Sequence, residues 1–220
     1  RKKAALYAGA GAMQIRTNAR DLFTVITVPE TSRSRVLREF IQHPDIAYAE
    51  PNGIIRACMI PNDAEYPRQW HFPMINLENA WDYSTGAGVT VAVLDSGINS
   101  HGNDGFGDRL LDGYNALLNI PARWEDFNYH GTHVAGTIGQ ETNNLHGTAG
   151  IAFSARLLPV KVLGRTGYGT RASVASGIIW AADHVADIIN MSFGENEFSN
   201  TIRDAVDYAY AQGVTLVAAG

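Results

Sequence analysis

The chain has 220 residues, of which 45% are hydrophobic, and its formal net charge is −5. This length can bury a substantial core, whereas the mild charge and the lack of a long basic run argue against nucleic acid and anionic membrane surfaces as partners. No apolar stretch approaches the ~18 residues that cross a bilayer, and the single cysteine, Cys58, can form neither an internal disulfide nor a metal site.

Residues 1–57 have the pattern of a small α+β unit. The sequence predicts a strand over residues 22–28, a helix capped by Thr31 or Ser32 that ends before Pro44, and a short strand over residues 46–50. The helix would bury one apolar face, made of Val36, Leu37, Phe40 and Ile41. Residues 58–88 contain proline and glycine and predict an extended linker with one short helix near residues 77–81.

From Val89 onward, apolar strands alternate with helices. Strands are predicted over residues 89–94, 157–163, 187–191 and 214–219, and helices over residues 130–139 and 172–186. A third helix is capped by Ser199 and closed by Gly213. Strands that are apolar throughout and alternate with helices indicate an α/β domain whose parallel sheet is covered on both faces. We therefore expect two domains, residues 1–57 and residues 58–220.

Two residues in this second part carry the strongest chemical signal. Asp95 ends the first strand, where the ligands of parallel sheets collect, although an aspartate there can also serve as a turn residue. His130 begins a helix, where the dipole favours the neutral imidazole that a general base needs. An acid that orients a histidine makes up two thirds of a nucleophilic triad. His133, three residues further on, is either a core histidine or, with His130, a ligand of zinc in a metal-dependent hydrolase.

The segments around these residues resemble a known family. Residues 91–98 (VAVLDSGI) and 130–137 (HGTHVAGT) are similar to the aspartate and histidine motifs of the subtilisin-like serine proteases. The resemblance implies a subtilisin-like catalytic domain in which Asp95 orients His130, His130 is the general base and His133 is structural. It further implies polypeptide substrates.

The resemblance also predicts where the peptide binds. Residues 160–169 are similar to one substrate-binding edge strand of the family, and residues 189–194 are similar to the second. Backbone pairing with exposed edges would hold an extended peptide without reading every side chain. The expected substrate-binding residues are Gly167, Tyr168, Gly169, Ser192, Phe193 and Gly194.

Residues 140–150 resemble the loop that binds a structural calcium in many relatives. Asn144 would supply a side-chain oxygen, and Asp104 (or Asn103) would add another from the loop after Asp95. Backbone carbonyls would come from Glu141, His146 and Thr148. Oxygen ligands suit this hard cation, and a polar surface turn is the alternative.

Residues 1–57 resemble the back part of the propeptide domain of the same family, with residues 47–52 as the recognisable segment. The resemblance implies an intramolecular inhibitor and a secreted enzyme. Residues 62–70 resemble the start of some mature enzymes, which would place the processing cleavage between about Asn52 and Asn62.

The matching sequence stops before two elements that the family needs for activity. Gly220 would be followed by the oxyanion asparagine and later by the serine nucleophile, and the chain opens at Arg1 without an initiator methionine. The serines present fit turns, helices or strands better than a catalytic turn; they include Ser96, Ser173, Ser176 and Ser192. We therefore expect a serine endopeptidase precursor truncated on its C-terminal side and inactive alone. The alternative is a catalytically inactive subtilisin-like protein used for binding or inhibition.

Overall fold

Residues 2–20, 22–53, 59–100 and 104–219 are described by a computed structural model of the protein. Its contacts divide the chain into two units, Arg1–Ala57 and Cys58–Gly220. Cys58, Asn103 and the middle of the expected cleavage window lie outside the described residues.

The first unit consists of two helices and a hairpin of short strands. In chain order these are α1 (Lys2–Gly9), β1 (Gln14–Thr17), β2 (Thr24–Thr27) and α2 (Glu30–Ile41). The two strands are antiparallel, and the buried core is formed by Ala10, Val36 and Phe40. The predicted strand over residues 22–28 and the predicted helix are thus present, whereas α1 and β1 were not predicted.

Three details of the first unit differ from the prediction. Helix α2 begins at Glu30 without a side-chain cap, and the hydroxyl of Ser32 donates to the Pro29 carbonyl from inside the first turn. Ile41 is exposed rather than part of the buried face. Residues 46–50 form no strand, because Ile46 turns back to the His43 carbonyl and packs its side chain on the core.

The start of the second unit is not an extended linker. It contains a 3-10 turn (Tyr66–Arg68), α3 (His71–Met74) and α4 (Leu77–Trp81), the last as predicted. The buried rings of Phe72 and Trp81 meet nearly edge-to-face and pack with Ala149. Aromatic burial therefore attaches this proline-rich segment to the α/β domain.

The sheet of the second unit has five parallel strands in the order β4-β5-β3-β6-β7. They are β3 (Thr90–Asp95), β4 (Tyr114–Asn115), β5 (Arg156–Lys161), β6 (Ile188–Met191) and β7 (Thr215–Ala218). The four predicted strands are confirmed within a few residues at each end. The two-residue strand β4 is too short to give a pattern of its own.

Helices cover both faces of this sheet. They are α5 (His130–Gly139), α6 (Arg171–Asp183) and α7 (Asn200–Ala211). Ala92 and Leu94 of the central strand share a core with α6 and α7, whereas Val91 and Val93 share one with Ala135 of α5. The α/β class predicted from the sequence is therefore confirmed, and side-chain alternation places Asp95 on the same face as α5.

The ends of the helices follow their capping residues. Ser199 accepts a hydrogen bond from the Ile202 N–H and starts α7, as predicted. Helix α6 starts with a reciprocal pair of hydrogen bonds between Thr170 and Ser173 and stops at Asp183. Its predicted extension was wrong, because Val185 has a left-handed φ of 53° and is exposed. Within the described ranges, no helix is long and apolar enough to cross a membrane.

Candidate active site

Asp95 and His130 meet at the carboxyl end of the sheet. Asp95 is fully buried at the end of β3, and His130 is the first residue of α5, with 49% of its side chain exposed. The Nδ1 atom of His130 lies 2.8 Å from Asp95 Oδ1 and 3.0 Å from Oδ2. Because a carboxylate can only accept, the proton of the neutral imidazole belongs on Nδ1, and Nε2 keeps its lone pair.

Two glycines allow the strand and the helix to approach this closely. A Cβ on Gly131 would overlap the carbonyl of Gly97 and would lie 3.0 Å from the Cβ of Asp95. Gly97 itself turns the chain with a φ of 113°, which side chains rarely tolerate. The turn at Gly97 and the missing side chain of Gly131 therefore both allow the contact between Asp95 and His130.

A second buried aspartate organises the start of α5. Both oxygens of Asp126 are used: Oδ1 accepts from the Ser96 hydroxyl and from two backbone N–H groups, and Oδ2 accepts from the N–H and hydroxyl of Thr132. Burial alone would raise the pKa of Asp126, but the bonds from Thr132, Asn128 and Tyr129 outweigh it and hold that pKa below its usual range. Asp126 thus fixes the helix end that carries His130.

Lys161 supplies a buried positive charge beside the two aspartates. It ends β5 directly opposite Asp95 in the sheet register, and its ammonium donates to the carbonyl of Ser96. Burial lowers the pKa of Lys161, and the nearby charges of Asp126, Glu125 and Asp95 oppose that shift. Neither Lys161 nor Asp126 was predicted from the sequence as a site residue. An aspartate four residues before a helix-initiating histidine is a signal that could have identified Asp126.

His133 differs from its expected place. It is exposed on α5 rather than packed in the core. Among the described residues, no group of three or more His, Cys, Asp or Glu side chains is placed to hold a metal ion. His130 and His133 therefore have no third ligand of these types in the described part of the chain.

The serines near the site are held by structural hydrogen bonds. Ser96 is fully buried, donates to Asp126 and accepts from the Gly131 N–H. Ser173, in the first turn of α6, bonds to its N-cap Thr170 and donates to the Val162 carbonyl, and Ser192 lies 3.0 Å from the side-chain amide of Asn190. None of these three hydroxyls makes a hydrogen bond to His130.

The predicted peptide-binding residues gather around a groove of about 600 Å³. It is lined by Gly167, Tyr168, Gly169, Phe193 and Gly194, but not by Ser192. Strands β5 and β6 are both inner strands, so the expected edge strands are instead loops that follow them at the carboxyl end of the sheet. Apolar side chains of α6 and α7 form part of the lining. Arg171, which also lines the groove, bonds to Glu195 and Glu197.

The structure brings only some of the predicted calcium ligands together. Asp104 accepts from the side-chain amide of Asn144 at 3.3 Å and from the N–H of Thr148 at 3.0 Å. Glu141 and His146 are exposed, and the His146 N–H donates to the side-chain oxygen of Asn144.

A second carboxylate, not predicted, borders this loop. Asp63 is buried, and its oxygens accept from the N–H groups of Asn143 at 2.9 Å and Asn144 at 3.3 Å. Two carboxylates and an amide supply oxygen ligands that suit a hard cation. In this structure these oxygens accept hydrogen bonds from N–H groups instead.

Comparisons with known proteins agree with this arrangement. A model of the Subtilase family matches residues 86–220. The chain is 36% identical over 99% of its length to a thermophilic serine proteinase of Bacillus sp. strain AK1, and 32% identical over 84% to an extracellular protease of Xanthomonas campestris pv. campestris. It spans 54% and 38% of those two proteins. A solved protease structure from Pseudoalteromonas arctica aligns with a TM-score of 0.66 and 34% identity, over 73% of this chain and 58% of that one.

Proposed function

The chain belongs to the subtilase family, as residues 91–98 and 130–137 predicted, and on that premise we propose that it is the precursor and N-terminal catalytic part of a serine endopeptidase. The observation that carries the proposal is the hydrogen bond between buried Asp95 and half-exposed His130. Relatives that share the family are named as serine proteinase and extracellular protease.

In the proposed reaction, Asp95 fixes the ring of His130 and stabilises the imidazolium that forms. The Nε2 atom of His130 removes the proton of a serine hydroxyl as its oxygen attacks the peptide carbonyl. The same proton then passes from His130 to the leaving amine, which leaves an acyl-enzyme. His130 next takes a proton from water as the water attacks that ester. It returns the proton to the serine oxygen as the acid product leaves, which regenerates the serine.

The nucleophile of this reaction is proposed to come from sequence outside these 220 residues. Ser96, Ser173 and Ser192 have other hydrogen-bond partners in the structure, and none of them makes a hydrogen bond to His130. We accordingly expect the 220-residue chain alone to show no peptidase activity, since nucleophile and oxyanion donor each contribute greatly to the rate.

The substrate is proposed to be an extended polypeptide that lies across the groove formed by residues 167–169 and 193–194. Support comes from the position of the groove at the carboxyl end of the sheet, the end that also holds Asp95 and His130. Ser192 would act at the end of β6 through its backbone rather than as part of the lining.

Residues 1–57 are proposed to be the propeptide and intramolecular inhibitor, and residues 58–220 part of the peptidase domain of a secreted enzyme. The name of the Xanthomonas relative and the similarity of the Bacillus relative over nearly the whole chain support this assignment. Mass spectrometry of the protein recovered from the culture medium tests it. A new N-terminus well outside residues 52–62, or retention of the protein in the cell, would contradict it.

The loop of residues 140–150 is proposed to bind a structural calcium through oxygens of Asp104, Asn144 and the neighbouring Asp63. Calcium would neutralise the two carboxylates and stabilise the loop, with no part in the chemical step. Thermal unfolding with CaCl₂ and with a chelator tests this proposal. We expect a calcium-dependent rise in Tm that Asp104→Asn reduces, and an unchanged Tm would contradict calcium binding.

The peptidase proposal is tested in the complete gene product with a quenched fluorescent peptide. His130→Ala is expected to lower kcat by about 100- to 10,000-fold, the usual contribution of a general base. His133→Ala, three residues along the same helix and exposed, is the matched control and should retain activity. Full activity in His130→Ala would refute the mechanism. Absence of both hydrolysis and labelling by a serine-directed sulfonyl fluoride would favour the inactive, binding alternative.

A further inference from the structure

A cavity of about 820 Å³ lies next to the segment that leads into His130 and is not used by the mechanism above. Its walls come from residues 115–123, from residues 125–129 and from the loop after β5. Tyr129, which lines it, directly precedes His130, and Asp126, which also lines it, fixes the start of α5. The cavity therefore borders the residues that position His130.

Two arginines that line this cavity, Arg123 and Arg165, have a fixed backbone and an unpaired guanidinium group. The carbonyl of Arg123 accepts from the Asn115 side chain at 2.7 Å, and the carbonyl of Arg165 accepts from the Asn128 side chain at 2.9 Å. Arg123 is also held at a left-handed φ of 55°, a costly conformation for a residue with a Cβ. In the described part of the chain, neither guanidinium makes a hydrogen bond or an ion pair, and both residues are exposed.

The other charges of the cavity are largely occupied. Lys161 is turned inward to the Ser96 carbonyl, and Asp126 accepts five hydrogen bonds from Ser96, Asn128, Tyr129 and Thr132. The lip therefore carries two unpaired arginines against one carboxylate, that of exposed Glu125. A local excess of guanidinium in a chain of net charge −5 selects for a carboxylate ligand.

The hydrogen bond between Asn128 and Arg165 places this charge close to the path proposed for the peptide. Asn128 lies two residues before His130, and Arg165 lies two residues before Gly167, which lines the groove. The cavity thus lies between the segment that carries the base and the loop that lines the groove.

We propose that this cavity is a subsite for an acidic side chain of the substrate, aspartate or glutamate, near the scissile bond, with Arg123 and Arg165 as its cationic contacts. The inference rests on the proposed peptidase function and adds a preference for one class of side chain. Because both guanidinium groups are exposed, the expected preference is modest, about three- to tenfold in kcat/KM, and it should weaken as salt screens the charges.

The test uses the complete gene product and pairs of quenched peptides that differ only by Glu or Gln, at each position from three residues before to two residues after the cleaved bond. At low ionic strength, one Glu peptide should have a several-fold higher kcat/KM than its Gln partner. The double variant Arg123→Gln/Arg165→Gln should bring this ratio to about one. Arg156→Gln is the matched control, because Arg156 is an exposed arginine at the opposite end of β5 and should leave the ratio as it is.

A Glu-to-Gln ratio of one at every position, or a preference that persists in the double variant, would overturn the subsite. If neither peptide is cleaved, the proposed peptidase function fails. The subsite is then tested by measuring the equilibrium binding of the two peptides. Fluorescence anisotropy of the labelled peptides would then show tighter binding of the Glu peptide in the parent protein only. Equal binding of both peptides would reject the subsite independently of catalysis.

Discussion

Replacement of Asp126 by asparagine tests whether this carboxylate holds the start of α5. Asn keeps the shape of the side chain but turns one acceptor oxygen into an amide donor. If the new amide replaces Oδ2, the N–H of Thr132 loses its acceptor, whereas the hydroxyl of Thr132 can rotate and accept. An unpaired buried N–H costs about 1–3 kcal/mol, and the lost negative charge at a helix N-terminus adds about 0.3–1 kcal/mol. We expect a loss of about 1.3–4 kcal/mol in the free energy of unfolding.

The assay is urea unfolding followed by tryptophan fluorescence. All four tryptophans, Trp70, Trp81, Trp124 and Trp180, lie in the second unit, so the signal reports that unit alone. The pKa of Asp126 is depressed in the folded state. Its contribution to the free energy of unfolding is therefore complete at a pH above the pKa that this carboxyl group has in the unfolded chain. It is lost as the pH falls through the lower folded pKa.

The stability difference between the parent and the Asp126→Asn variant should accordingly be largest near neutral pH and should shrink below about pH 4. Asp112→Asn is the control, because Asp112 is exposed and outside this network. A difference below about 1 kcal/mol at neutral pH, or one that does not change in acid, would refute the proposed role of Asp126.

Three further predictions concern the second unit. Gly131→Ala should lower both stability and peptidase activity, because its Cβ would overlap the Gly97 carbonyl, whereas Gly194→Ala, with open space around it, should leave Tm nearly unchanged. Ser199→Ala removes the N-cap of α7 and should lower the free energy of unfolding, measured in urea, by about 1 kcal/mol. A loss of only a few tenths of a kcal/mol would argue against that cap. Burial and the hydrogen bond to Glu78 raise the pKa of Tyr66, so stability should fall above pH ~10, and a Tyr66→Phe variant with the same alkaline loss would contradict this.

The parts of the fold that the sequence predicted are those in which local pattern and burial agree. Strand β3 is apolar from Val91 to Leu94 and buried on both faces, and Ser199 caps α7 with its own side chain. The failures occur where distant contacts decide the structure. Ile46 lies in a run of residues typical of a strand, but its side chain packs against the core of the first unit. Strand β4 is defined only by the pairing of its two residues with β5.

The pairing of Asp95 with His130 was predictable because each residue lies in a short, distinctive segment. Asp126 and Lys161 were not, since their roles depend on what surrounds them in space. Lys161 resembles any polar residue at a strand end until the sheet register places it opposite Asp95. Arg123 likewise has a left-handed backbone, and its carbonyl accepts from the side-chain amide of Asn115, a contact for which the sequence holds no local signal.

The alternation of β3 gives Asp95 a second consequence, for the fidelity of folding. Val91 and Val93 face α5, whereas Ala92 and Leu94 face α6 and α7. A slip of one residue in strand pairing would turn the carboxylate of Asp95 into the apolar layer, far from His130, at the high cost of an unpaired buried charge. Mispaired sheets would therefore be strongly disfavoured, and the carboxylate that bonds to His130 also favours the correct register of the central strand.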